Sequence, residues 1–105
     1  MTQPTFMSTP SEASPIEAAV LTTLDRLSAS WGKPELAAPR AETDLFEALD
    51  SFAIVELLME TESEVERAVG RYVPLANEKI LDNTLSPLRH YRDWVAYVVE
   101  TVERG

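Results

Sequence analysis

Ser51-Phe52-Ala53-Ile54-Val55-Glu56-Leu57-Leu58-Met59-Glu60-Thr61-Glu62-Ser63-Glu64-Val65-Glu66-Arg67 contains neither glycine nor proline. Ile54, Leu58, Thr61 and Val65 recur at i, i+4, i+7 and i+11, the spacing of one helix face, with Val55 and Leu57 beside them. The segment therefore reads as an amphipathic helix from Ser51 to about Arg67. Phe52, Glu56, Met59 and Ser63 follow the same spacing on a second face. Two apolar residues there stand among charged ones. Either the core stripe is wide enough to absorb Phe52 and Met59, or they are anchors on a surface that meets another protein.

On the N-terminal side, Gly32 to Leu49 reads as a long loop, tied to the core by Leu36, Leu45, Phe46 and Leu49. A loop of that length in a small domain is usually functional or disordered. Before it, Ile16, Ala19, Val20, Leu24 and Leu27 predict a helix over about Pro15 to Ser30. Ser14 is placed to cap it, Pro15 to open it, and Trp31-Gly32-Lys33-Pro34 to stop it. Met1 to Ser14 is rich in Thr, Ser and Pro and reads as a flexible tail, with the domain at 15–105.

On the C-terminal side, Gly70 and Pro74 punctuate a connection. Arg71-Tyr72-Val73 is compatible with a brief extended run. A short helix is predicted at about Ala76 to Leu81. Ser86-Pro87 supplies a cap followed by a proline at the first helical position. Leu88, Tyr91, Trp94, Val95, Val98 and Val102 form the inner stripe of a last helix, about Pro87 to Glu103. With no alternating strand pattern and no internal repeat, the fold class is all-α. The expected architecture is a small four-helix bundle with three long helices, one short helix and a long first loop.

The 105 residues, 45% hydrophobic and 26% charged, suit one soluble domain. No apolar run approaches a membrane span and no secretory leader is legible. The lack of cysteine excludes a disulfide framework, a cysteine-ligated metal and a cysteine nucleophile, and suits a cytoplasmic location. The net charge of −9 is concentrated. Glu42, Asp44, Glu47, Asp50, Glu56, Glu60, Glu62, Glu64 and Glu66 have no Lys or Arg among them, and the flanking stretches are near balance. Such a surface repels nucleic acid and anionic lipid and steers basic partners. It is equally the solvated face of a soluble helix.

Little here suits catalysis. His90 is the only histidine, and lone helical histidines are mostly structural. A His or Cys/His metal cluster is impossible. Glu60, Glu62, Glu64 and Glu66 alternate along a helix and cannot share one face. There is no phosphate-binding glycine loop. Trp31 and Trp94 sit with core-spaced neighbours and read as packing residues, without the basic interleaving of a base-stacking platform. The chain is read as a non-enzyme. The residues that stand out are Asp50 and Ser51, where the long loop meets the acidic helix. On residue chemistry alone they are helix-capping groups.

Asp44-Leu45-Phe46-Glu47-Ala48-Leu49-Asp50-Ser51-Phe52, continuing as Val55-Glu56-Leu57-Leu58, resembles the acyl and peptidyl carrier protein family. The motif wording is closest to D-alanyl and related aminoacyl carriers. In that family a Gly-x-Asp-Ser motif opens the second helix, and its serine carries phosphopantetheine. Ala48 stands where the family usually has glycine, and the run from Phe46 to Ser51 is a few residues shorter than usual. Val73-Pro74 matches the step before the family's third helix, and the resemblance spans about Ile16 to Val102. It implies a bundle of acyl-carrier type. It also implies that Ser51 is the attachment point for 4′-phosphopantetheine, taken from coenzyme A by a phosphopantetheinyl transferase. An acyl or aminoacyl ligase or transferase would then load the arm with a thioester-bound cargo. Asp50, Phe52, Glu56, Met59 and Glu62 fall on positions that such carriers offer to partners, and a monomer is expected. The alternative is an adaptor of the same fold that lacks the arm and binds basic partners through the acidic helix.

Overall fold

The computed structural model describes residues 13–104. Among them there is no strand: the elements are four α-helices and three 3₁₀ turns. Helix α1 spans Ala13–Trp31, α2 Leu45–Ala48, α3 Ser51–Val69 and α4 Tyr91–Arg104. The 3₁₀ turns are Pro34–Ala37, Glu78–Leu81 and Pro87–Arg89. The architecture is a small all-helical bundle, with α1 packed most extensively on α3 and with α4 against α1. The tail assigned to 1–14 lies almost wholly outside the described residues. Ser14 falls inside α1, not before it as a cap.

The core is the stripe that periodicity predicts. Ile16, Val20 and Leu24 of α1 meet Ile54, Leu57 and Val65 of α3 and Trp94, Val98 and Val102 of α4, all almost wholly buried. Val55 departs from the expectation. At about 100° per residue it is rotated from Ile54 away from α1, and it remains 45% exposed. The buried face of α3 extends instead to Leu57 and Glu64, the side from which Arg26 of α1 reaches Glu64.

The two long helices end as their glycines dictate. Gly32 takes φ +70°, and the amide of Lys33 closes back on the carbonyl of Ser28 at 2.9 Å. Gly70 takes φ +80° and bonds the carbonyl of Glu66 at 2.8 Å. Both are left-handed terminations that a side chain would strain.

The long first loop is folded. Leu36, Leu45 and Leu49 are buried and Phe46 is half-buried, as their apolar character predicts. Its backbone is tied to the start of α4: the amides of Tyr91 and Arg92 bond the carbonyls of Thr43 at 2.8 Å and Ala41 at 3.0 Å. This tie explains a second departure. The periodicity predicts a last helix unbroken from Pro87, but His90 takes φ −141°, ψ 133° and separates the Pro87–Arg89 turn from α4. First-turn amides have no partner inside a helix, and here two of them hold the loop. The short helix expected at Ala76 to Leu81 is a 3₁₀ turn, Glu78–Leu81, capped by the Asn77 side chain. The one short α-helix is α2, inside the predicted loop.

Candidate functional site

The loop and α3 meet at Asp50 and Ser51. Asp50 has extended backbone angles, and its Oδ1 accepts the amide of Ala53 at 2.8 Å. Asp50 is therefore the cap. Ser51 is the first helical residue, exposed, at the head of a helix of 19 residues.

The segment just before is held from a distant element. Asp44 caps α2 through the amide of Glu47 at 2.9 Å. Its other oxygen pairs with Arg89 at 3.1 Å. The Arg89 guanidinium also lies 5.5 Å from the centre of the Phe46 ring. Arg89 thus clamps the short helix that delivers the chain to Ser51.

Past Ser51, the outward face of α3 exposes apolar residues beside Glu56 and Ser63. Phe52 is 87% exposed and Met59 64%, so the core stripe does not absorb them. With Val55 they form a ridge along one side of the helix.

The carboxylates around this ridge are differently engaged. Glu56 Oε1 accepts the indole N–H of Trp31 at 2.9 Å, across from the end of α1. Arg26 of α1 bridges Glu60 at 2.7 Å and Glu64 at 3.0 Å. Its hydrogen bonds to Glu64 and Glu60 hold the guanidinium pKa above its usual value. Glu62 has both oxygens in use: Oε1 takes the Tyr72 hydroxyl at 3.0 Å, and Oε2 the amide of Leu75 at 2.7 Å. The Glu62 bond raises the Tyr72 hydroxyl above its ordinary pKa.

Of the residues singled out from sequence, Ser51, Asp50, Phe52, Glu56 and Met59 share the outer and N-terminal side of α3. Glu62 instead fastens the connection after α3. Trp31, Arg26 and Tyr72 were not anticipated as partners of the acidic residues. Arg26 carried a signal, since it is the only cation in α1. Trp31 carried none, because a tryptophan ending an amphipathic helix reads as packing. His90 lies beside one acidic group, its Nδ1 3.2 Å from Asp93. Among the described residues no set of three His, Cys, Asp or Glu side chains could hold a metal ion. No described helix is long and apolar enough to cross a membrane.

Comparison with protein-family models, with curated proteins and with solved structures gives no match.

Proposed function

We propose that the chain is an acyl or aminoacyl carrier protein of acyl-carrier fold, with Ser51 as the attachment point for 4′-phosphopantetheine. The observation that carries this reading is the division of labour between Asp50 and Ser51. Asp50 caps α3, so the serine is exposed and free of the structural task that its position would otherwise suggest. The residues present fit the group. A phosphodiester on Ser51 would sit at the head of a long helix, where first-turn amides and the helix dipole favour an anion. Exposure of Ser51 leaves room for a long arm. When attached, the arm supplies a terminal thiol for thioester linkage of a cargo.

The chain's own residues would present the arm and dock its enzymes. Phe52, Val55 and Met59 offer apolar contact, and Glu56 offers charge to a basic transferase or ligase. In this reading the protein catalyses nothing itself, works as a monomer in the cytoplasm, and has no nucleic-acid partner. The test is covalent gain of one phosphopantetheinyl group from coenzyme A. An adaptor without the arm is the second reading, favoured by Ala48 and the shortened approach to Ser51. It predicts binding through α3 with no gain of mass.

A further inference from the structure

Every carboxylate along the middle of α3 is held by a group from elsewhere, but not in the same way. Glu60 and Glu64 share Arg26, and Glu64 also lies 3.5 Å from Arg67, so both carboxylates are paired with cations. Glu62 is occupied at both oxygens by its own chain. Glu56 differs from all three. It is bound at one oxygen by a neutral donor, the Trp31 indole N–H, so it keeps its full negative charge and a second oxygen. It also lies one turn from Phe52 and one from Met59, the two most exposed apolar residues of α3.

We propose that Trp31 is the positioning residue of this docking face: its indole N–H sets the Glu56 carboxylate beside Phe52 and Met59, ready for a partner that carries a cation next to an apolar pocket. The inference rests on the docking face proposed above and adds what orients it. A glutamate on an open helix surface samples several rotamers, and ordering it on docking opposes association. Trp31 is half-buried and packs against the core, so its ring is a fixed point and the carboxylate is ordered before a partner arrives. The acidic surroundings favour a basic partner over a second copy of this chain.

Trp31→Phe removes the N–H and keeps most of the ring. The first readout needs no partner: NMR relaxation of the Glu56 side-chain methylenes in the full chain. Their order is expected to fall in Trp31→Phe, and equal mobility in both proteins overturns the proposal. The second readout is binding of the full chain, carrying Ser51→Ala, to a phosphopantetheinyl transferase without coenzyme A. Trp31→Phe should weaken binding about three- to tenfold and have no further effect once Glu56→Ala is present. An equal effect in both backgrounds, no effect in either, or no binding to any transferase overturns it. A chain that binds with this coupling but is never modified would sink the arm on Ser51 and leave the Trp31 assignment standing. A chain that is modified without the coupling would do the reverse.

Discussion

Asp50 Oδ1 accepts the backbone N–H of Ala53 at 2.8 Å. That single bond separates two residues whose chemistry alone makes both capping groups, and it gives them different stability signatures. Asp50→Ala should cost about 1 kcal/mol, the usual loss on removing an N-cap. Ser51→Ala should stay within about 0.5 kcal/mol of the parent, as exposed substitutions do. Urea denaturation of both variants checks this, and the opposite order would make Ser51 the cap.

Glu62 is predicted to be a structural residue. Its Oε2 accepts the amide of Leu75, a residue wholly buried in the core. Glu62→Ala leaves that amide without an acceptor and should destabilise the fold by about 1–2 kcal/mol. The Leu75 amide should also exchange with solvent faster. A variant of unchanged stability that loses only partner binding would return Glu62 to the docking face.

Arg89 is predicted to control the approach to Ser51. Arg89→Ala removes the ion pair to Asp44 and the contact over Phe46. The pair is partly exposed, so the global cost should be only about 1 kcal/mol. The local cost should be greater: the amides of Glu47, Ala48 and Leu49 should lose protection in hydrogen exchange while the middle of α3 keeps it. Uniform loss across the chain would contradict a local clamp.

Tyr91 gives the fold an alkaline limit. Burial first, and then the Glu17 carboxylate, push its hydroxyl from 10.0 up to about 12. The folded state thus holds this proton more tightly than the unfolded chain. The stability involved is complete below about pH 10 and lost as pH rises toward 12. Tyr91→Phe cannot titrate there. The parent's urea midpoint should therefore fall relative to the variant's from about pH 9 to about pH 11.5, and a constant difference would exclude the effect.

Much of the fold was legible because it depends on local periodicity. Ile54, Leu58, Thr61 and Val65 are buried as their spacing requires, and Leu36, Leu45 and Leu49 anchor the loop that they punctuate. Phe52 and Met59 could not be assigned from spacing, since a wide stripe and an outer ridge share the same period; the position of α1 decides between them. The same neighbour turns Val55 outward. The break at His90 was hidden because it depends on bonds from Tyr91 and Arg92 to carbonyls some fifty residues earlier. The Trp31–Glu56 bond was hidden because an indole N–H leaves no periodic trace. At the candidate site, Ser51 was located by motif wording, whereas its release from capping depends on a hydrogen bond that only the folded chain displays.

The most direct measurement is the intact mass of the full chain after incubation with coenzyme A and a panel of phosphopantetheinyl transferases, with Ser51→Ala alongside. One phosphopantetheinyl group should be gained, mapped to Ser51 by peptide mass analysis and absent from the variant. No gain with any transferase, or a gain that persists in Ser51→Ala, would contradict it.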